Sequence, residues 1–524
     1  MKKRAYLSLD SITSVLLALG IIILINLISV GHFFRLDLTE GRIYTLSEAS
    51  RKVVGQLKDR LTIKAFFSEN LPDPYSSTAR YLRDQLDEYK AYSHGHLAYE
   101  FLDPVAKEEL EKEAASFRIP PVQVNVIQDD KFELKKVYMG LAFLYEDRQE
   151  VIPLVQNTVG LEYDITSAIK RLTSKEIKKV AFLTGHQEPD IYQDMRAAQE
   201  TLAKTYDVRT LDLSDKLVPD EVEVLIVLNP KEALSDWEKL AIDQFLMKGG
   251  KLAFLINKVE TQIETSQAEL LDLKLDDWLT QYGFKINSDL VFDARNTRIN
   301  IQQRRGWFTI TNTVPYPFFP EIYDLEKSHV IAKDLENLTF YFVSSLDLSS
   351  AEKHNLTATV LAQSSKKSGL QEGQFDINPL GRLPASDFDK ASIPLAAIIR
   401  GRFKSYFADH DLPDTKPVEV KEIVKEGRES RMVVVGDGNF IQDKYLGNRN
   451  NLAFFLNLVD WLAQDEDLIA IRSREATSRQ LKEITSGQKK LVKYSSLFGP
   501  PGLVIIGGLL YWQVRRVKRR AREI

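Results

Sequence analysis

Apolar residues are concentrated near the two ends of the chain, where residues 12–31 and 497–514 contain no charged side chain. A helix rises about 1.5 Å per residue, so each stretch is close to the length that crosses the roughly 30 Å hydrocarbon core of a bilayer. We therefore predict one transmembrane helix near each end. The alternatives are a cleavable signal peptide for the first stretch and a buried core helix for the second.

The region at 35–173 alternates between strand-like and helix-like patterns. Strands are predicted at 61–67, 97–102 and 122–127, helices between them at 75–93 and 108–117, and a closing hairpin at 140–145 and 150–153. This order is similar to the thioredoxin fold, in which a proline precedes the third strand, and Pro120 or Pro121 is the candidate for that proline. The position of the thiol pair, at residues 68–71, has no cysteine. We therefore predict a redox-inactive, thioredoxin-like interaction module.

The region at 176–468 alternates strands and helices again. Strands are predicted at 179–184, 208–213, 222–228, 252–256 and 431–435, and helices at 190–206, 236–247 and 450–463. This spacing predicts an α/β domain with a parallel, doubly wound, Rossmann-like sheet, with an insertion at about 261–425. The layout resembles the glutamine-amidotransferase-like fold, whose nucleophile is a cysteine that this chain lacks.

The distribution of charge predicts on which side of the membrane each part of the chain lies. The chain has 524 residues, 70 Lys and Arg, 74 Asp and Glu, and a formal net charge of −4. Residues 1–11 and 515–524 are both basic, so the middle of the chain is acidic, which argues against a nucleic-acid binder. The positive-inside rule then predicts that both termini are cytoplasmic and that the main domain is periplasmic, at the bacterial inner membrane. Residues 469–496, polar and basic, are predicted to form a stalk that leads to the second membrane helix.

A candidate ligand or interaction cleft lies where the predicted parallel strands end, because ligands bind at the carboxyl ends of strands in such sheets. A histidine, two carboxylates and two amides are suited to a polar ligand, a metal ion or acid/base chemistry. The alternative is that these residues cap helices and satisfy the backbone of turns. The candidate residues are Gly185, His186, Glu188, Asn229, Asp437 and Asn439.

Motifs for catalysis are missing from the sequence. There is no cysteine, no G-x-S-x-G elbow, no dinucleotide fingerprint and no Walker A motif. We therefore predict a protein that is not an enzyme and has no cofactor. If ATP hydrolysis drives its action, another chain must supply it.

Several short strings resemble one known family. The strings are Asp37-Leu38-Thr39-Glu40, Tyr44-Thr45-Leu46-Ser47, and those at 67–72, 86–89, 101–104, 160–164 and 185–188. Their order and spacing, along nearly the whole chain, resemble those of the auxiliary subunits of gliding-motility-type ABC transporters, the GldG-like family.

This resemblance implies a membrane-anchored partner of an ABC permease and its ATPase, linked to gliding motility or protein secretion. Two helices would contact membrane lipid, and ATP hydrolysis in the partner would tilt or open an extracytoplasmic platform. The alternative function is a ligand-binding receptor that uses the strand-end cleft for a sugar, a peptide or an envelope protein. A cell-envelope hydrolase is a third class, and it would need an activated nucleophile that the sequence does not show.

Overall fold

The computed structural model of the chain divides into two units, Met1–Thr477 and Ser478–Ile524. The residues that the structure describes are 17, 20–21, 45–128, 131–156, 158, 160–174, 176–305, 308–333, 335–420, 422–464, 468–469, 471–472, 493–499, 501–502, 505–509 and 511–513.

Helices and strands alternate along the first unit. The helices are α1 Glu48–Gly55, α2 Tyr75–Tyr92, α3 Glu108–Ser116, α4 Leu161–Thr173, α5 Arg196–Leu202, α6 Asp236–Met247, α7 Asp276–Gln281, α8 Ser350–Lys353 and α9 Arg449–Leu462. The strands are β1 Leu61–Phe67, β2 Leu97–Leu102, β3 Val122–Gln128, β4 Lys131–Val137, β5 Met139–Tyr145, β6 Arg148–Ile152, β7 Lys179–Thr184, β8 Asp207–Asp212, β9 Val222–Leu228, β10 Lys251–Leu255, β11 Val259–Gln262, β12 Gln267–Leu270, β13 Lys285–Ile286, β14 Asp289–Asp293, β15 Asn296–Arg305, β16 Phe308–Ile322, β17 Asp324–Leu325, β18 Leu338–Thr339, β19 Leu346–Asp347, β20 Thr357–Gln363, β21 Ser368–Glu372, β22 Pro394–Lys404 and β23 Glu426–Val435.

A four-stranded mixed sheet with the order β2-β1-β5-β6 forms the amino-terminal part of this unit. β1 is parallel to β2 and antiparallel to β5, and β6 is antiparallel to β5. Side chains alternate between the two faces of a strand, and Ile63 of β1 packs in the same cluster as Leu86 of α2 and Ile165 of α4. Phe66 contributes instead to a smaller cluster with Ala114 of α3. Helices therefore cover both faces of this sheet.

The third strand of the sheet is not the one that the sequence suggested. The predicted strand at 122–127 does form, as β3, but it pairs with β4 in a separate hairpin. The sheet takes β5 instead, whose residues are almost all buried. Tyr138 therefore precedes the third strand, and the expectation that Pro120 or Pro121 does so was wrong. Tyr138 faces the loop after β1: its N–H donates to Ser68 Oγ (3.0 Å), and the Ser68 N–H donates to its carbonyl (3.1 Å).

An eight-stranded sheet with the order β17-β20-β22-β23-β10-β9-β7-β8 forms the larger part of the unit. The strands from β23 to β8 are parallel to one another, whereas β22 is antiparallel to β23, β20 to β22 and β17 to β20. The five strands that were predicted to form a parallel sheet do so, and the whole sheet is mixed because three antiparallel strands extend it on one side. The predicted insertion at 261–425 supplies β17, β20 and β22. Residues 395–399 of β22 are fully buried, so this apolar run is stable only inside the sheet.

Helices cover both faces of the eight-stranded sheet. Val224, Ile226 and Leu228 of β9 belong to the core that also contains α9, and the alternate residues Leu225 and Val227 belong to the core that contains α6. A central strand that is buried on both faces needs a continuous apolar run, as β9 has.

Of two helices predicted in this region, one is shorter than expected and the other has the predicted bounds. The helix predicted at 190–206 is shorter, Arg196–Leu202. The Asp190 carboxylate accepts hydrogen bonds from the Tyr192 N–H (2.7 Å) and the Gln193 N–H (3.0 Å), which holds a turn in place of a first helical turn. The helix predicted at 236–247 is confirmed, and Ser235 caps it, because its side chain accepts a hydrogen bond from the Glu238 N–H.

The described parts of the second unit, at 493–499, 501–502, 505–509 and 511–513, are helical. Their large apolar side chains are exposed, among them Phe498 (63%) and Trp512 (56%). Among the residues that the structure describes, no helix combines the length and the apolar character needed to cross a membrane. The predicted termini at 1–11 and 515–524, and most of the predicted segments at 12–31 and 469–496, lie outside the described residues.

Candidate functional site

Four neighbouring strands of the larger sheet, in the order β23-β10-β9-β7, are parallel and therefore end at the same edge. Every candidate residue follows one of these strands. The structure brings them together in two groups of hydrogen bonds, one around His186 and one around Asp437. The first contains Gly185, His186 and Glu188, and the second contains Asn229, Asp437 and Asn439.

The imidazole of His186 lies between two buried carboxylates. Its Nδ1 is 3.2 Å from Glu188 Oε1, and its Nε2 is 3.1 Å from Glu238 Oε2. The hydrogen bonds to Glu188 and to Glu238 raise the pKa of His186 to about 10. The ring is therefore a cation at neutral pH, and both of its N–H groups donate. In this state it has no lone pair with which to bind a metal ion or accept a proton.

The backbone around His186 is also fixed. Gly185 has a φ of +122°, a conformation that a residue with a side chain rarely adopts. The His186 N–H donates to Glu188 Oε2 (2.7 Å), and its carbonyl accepts a hydrogen bond from the Lys231 N–H (2.8 Å). Gly185 therefore allows the backbone conformation of this turn. A hydrogen bond connects the turn to the loop that follows β9.

Glu238, the second partner of His186, was not among the predicted site residues. It is the third residue of α6, and its carboxylate accepts a hydrogen bond from the Ser235 N–H (2.8 Å), which completes a capping box. Burial acts to raise the pKa of Glu238, but hydrogen bonds from His186 and Ser235 outweigh it and hold that pKa below its usual value. The pattern Ser-x-x-Glu at 235–238 was the signal available in the sequence.

The carboxylate of Asp437 is fully buried, and backbone groups donate to both of its oxygens. Oδ2 accepts the Tyr341 N–H and Oδ1 accepts the Asn439 N–H, each at 2.6 Å. Burial raises the pKa of Asp437 to about 7, although the backbone N–H groups act in the opposite direction. Asp437 thus ties the loop after β23 to the segment between β18 and β19.

Asparagine side chains link the ends of three neighbouring strands. Asn229 Nδ2 donates to Asn439 Oδ1 (3.0 Å), and Asn229 Oδ1 accepts the Asn257 N–H (3.2 Å). Asn257 is fully buried; its Oδ1 accepts the Gly438 N–H (2.7 Å), and its Nδ2 donates to the Phe342 carbonyl (2.8 Å). Asn257 was also missed from the sequence, although it follows β10 much as Asn229 follows β9.

This edge of the sheet is held together by its own polar groups. Buried polar groups that are hydrogen-bonded to one another stabilise the fold, and a ligand would have to replace those bonds. Within the described part of the chain, no group of three His, Asp or Glu side chains is arranged to hold a metal ion. These residues cap α6 and connect neighbouring loops through hydrogen bonds. Ligand binding here stays a prediction.

The geometry defines an α/β protein in which the polar residues at the strand ends bind one another. A family model described as an ABC-type uncharacterized transport system matches residues 177–468, which are more than half of the chain. The chain therefore belongs to this family of ABC transporter auxiliary proteins. A second model, described as a domain of unknown function (DUF7088), matches residues 40–144.

Two individual proteins are also similar to this chain. A protein of Borreliella burgdorferi, described as an uncharacterized protein, is 21% identical over 532 residues, which cover 97% of this chain and 98% of that protein. A solved structure described as the mmIFT52 N-terminal domain is similar over 54% of this chain and 97% of its own length, with 15% identity and a TM-score of 0.34. A similarity at that TM-score carries no argument about fold or function.

Proposed function

We propose that the chain is a non-enzymatic, membrane-anchored accessory subunit that presents an extracytoplasmic platform to an ABC permease and its ATPase. Membership of the auxiliary family supports the role in transport. The uncharged stretches at 12–31 and 497–514, and the exposed apolar side chains in the second of them, support the anchors. The basic termini support a cytoplasmic location for both chain ends. The resemblance to GldG-like subunits supports a link to gliding motility or protein secretion.

This proposal rests mainly on contacts between the first and the last described segments of the first unit. Leu468 and Ile471, among the last described residues of this unit, pack in one cluster with Ala49 of α1 and Tyr163 of α4. Next to them, the Arg472 guanidinium donates to the Tyr163 hydroxyl (2.8 Å) and lies 4.6 Å from the centre of its ring. Both ends of the unit are therefore attached to the same helix.

Buried hydrogen bonds hold the amino-terminal end just as firmly. The Glu162 carboxylate accepts hydrogen bonds from the Ser47 N–H (2.7 Å) and the Ser50 hydroxyl (2.6 Å). Glu88 of α2 accepts the Leu46 N–H (2.9 Å). Because these contacts are buried and charge-assisted, they are strong. We propose that both chain ends act on α4 through these contacts, which would give the mechanical coupling that a transporter platform requires.

Within this platform we assign a redox-inactive thioredoxin-like module and a Rossmann-like domain that is similar in layout to glutamine amidotransferases. The order β2-β1-β5-β6, with β5 antiparallel to β1, supports the first assignment. Parallel strands with helices on both faces support the second. The absence of cysteine from the sequence and the doubly bonded imidazolium of His186 support a role without catalysis.

The test is purification of the tagged full chain in detergent, followed by mass spectrometry of the proteins that accompany it. A multi-span permease and an ATPase with a Walker A motif should co-purify in near-stoichiometric amounts. Deletion of residues 497–524 should abolish the complex. Replacement of 497–514 by an unrelated apolar helix of equal length is the matched control, because it keeps the anchor and removes specific docking. Recovery of the full chain alone would overturn the proposal.

A further inference from the structure

A groove with a volume of about 650 Å³ lies along the free edge of the smaller sheet, far in sequence from the site at 185–188. It is lined by the end of β1, by the first half of α2 and by β2. Three consecutive residues of β2, Tyr99 to Phe101, line it. Consecutive side chains of a strand point to opposite faces, so a groove that touches all three must reach the edge of the strand.

The backbone at this edge has unused hydrogen-bonding groups. β2 is the outermost strand in the order β2-β1-β5-β6. The Leu61 N–H donates to the His96 carbonyl (2.8 Å), which fixes the parallel register. In this register the N–H and C=O groups of Ala98 and Glu100 face β1, and those of Tyr99 and Phe101 face away from it. Such a row of outward groups is a template for one more strand.

The wall of the groove above this edge is cationic and aromatic. Arg80 and Arg83 are exposed, lie three residues apart on α2 and therefore share one face of the helix. The Arg83 guanidinium lies 4.2 Å from the centre of the Phe101 ring. Within the described part of the chain, no carboxylate forms an ion pair with either arginine.

Three acidic residues also line the groove, Glu69, Glu100 and Asp103. The Asp103 carboxylate accepts hydrogen bonds from the Glu69 N–H (3.1 Å) and the Val105 N–H (2.9 Å). The Glu100 carboxylate lies 3.8 Å from the Lys64 ammonium, which belongs to the opposite face of the sheet. On α2, Asp87 accepts a hydrogen bond from the Tyr99 hydroxyl. The basic residues that line the groove, Arg80 and Arg83, lie on its α2 side.

We propose that this groove binds an extended, acidic peptide segment of a partner protein, which adds to β2 as a fifth strand. Main-chain hydrogen bonds to Tyr99 and Phe101 would supply affinity, and carboxylates of the peptide would pair with Arg80 and Arg83. This is the mode known as β-augmentation, in which the backbone gives affinity and alternate side chains give specificity. A compact anion could form ion pairs with the two arginines only. An extended peptide could also form hydrogen bonds with the outward-facing backbone groups of β2.

The first test is fluorescence anisotropy with the full chain in detergent and a labelled, end-blocked decapeptide of alternating valine and glutamate. Binding should weaken by about tenfold or more in the Arg80→Glu, Arg83→Glu double variant, because two charge contacts become repulsive. The double variant Lys58→Glu, Arg60→Glu is the matched control, since both residues are exposed in the loop before β1, at the opposite end of that strand. Its affinity should change less than about twofold. Absence of binding at about 1 mM peptide would overturn the proposal.

The second test separates strand addition from simple charge attraction. Tyr99→Pro removes one outward N–H, a change that an edge strand tolerates, and should weaken peptide binding by about fivefold or more relative to Tyr99→Ala, which loses the same ring but keeps the N–H. Far-UV circular dichroism checks that both variants fold. Equal binding by these two variants, or equal competition by vesicles of anionic phospholipid, would mean a general anionic site and would overturn the proposal.

Discussion

Replacement of His186 by glutamine should lower the free energy of unfolding by about 3–5 kcal/mol near pH 6.5, because it leaves two buried carboxylates without their cation. The side chains of Glu188 and Glu238 are only 4% and 7% exposed. The pKa gives a similar magnitude: its rise from 6.5 to about 10, at about 1.4 kcal/mol per unit, corresponds to no more than about 5 kcal/mol. The expected loss of 3–5 kcal/mol lies within this upper limit.

The sign of the pH dependence follows from the same pKa. Because the pKa of His186 is higher in the folded state than in the unfolded state, its stabilisation is complete below about pH 6.5 and is lost as the pH rises through about 10. The difference in unfolding free energy between the wild type and His186→Gln should shrink across this window.

Urea unfolding followed by tryptophan fluorescence measures this difference, and the buried Trp237 lies next to Glu238 in the sequence. His354→Gln is the control, since His354 is only partly buried, at the end of α8, and its replacement should change stability by less than about 0.5 kcal/mol. If His186→Gln has the same unfolding midpoint as the wild type at pH 6.5, the ring is neutral and the account of this site fails.

Two further predictions concern close packing and a buried ion pair. Gly436→Ala should abolish soluble expression, because its Cβ would lie 1.9 Å from the Ser344 carbonyl oxygen, whereas Gly447→Ala, with no atom within 4 Å, should express normally. Arg472→Met should lower the unfolding free energy by about 3–5 kcal/mol, because Asp460, 2.8 Å away and 1% exposed, loses the positive charge of the Arg472 guanidinium. Addition of Asp460→Asn should recover most of that loss in urea unfolding, and an undiminished loss in the double variant would contradict the pairing.

Several strands could be predicted residue for residue. The bounds of β1, β2, β7 and β9 agree with the runs at 61–67, 97–102, 179–184 and 222–228. Each of these runs is short, rich in strand-forming residues and bounded by polar or turn-forming positions. Such local signals decide where a strand begins and ends.

Pairing between strands could not be predicted in the same way. The run at 122–127 is as strand-like as the one at 140–145, yet only the second joins the sheet, as β5. β22 joins the larger sheet beside β23, although it lies inside the predicted insertion, near its carboxyl-terminal end. Partner choice depends on burial against residues far away in the sequence, which periodicity does not record.

Contacts between side chains of the candidate site could not be predicted from the sequence either. The rule that parallel strands end at one edge brought His186 and Asp437 to the correct edge of the sheet. It did not predict their partners: Glu238 reaches His186 from a helix, 52 residues away in sequence, and Asn257, which bonds to Gly438 beside Asp437, was not among the predicted residues. Residue types at strand ends thus predict a location, and the state of their hydrogen bonds must come from the structure.

The state of these hydrogen bonds distinguishes the strand ends of the larger sheet from the groove at the edge of β2. At the strand ends of the larger sheet, both oxygens of Asp437 and both ring nitrogens of His186 already have partners in the chain. A ligand there must break buried bonds before it gains any, at a cost of about 1–3 kcal/mol for each group left unsatisfied. At the edge of β2, by contrast, no strand of the described part of the chain pairs with the outer side, so an added peptide strand would break no bond of the sheet. If the chain is the non-enzymatic subunit proposed above, recruitment at an open edge would let it engage a partner while the buried contacts around α4 stay intact.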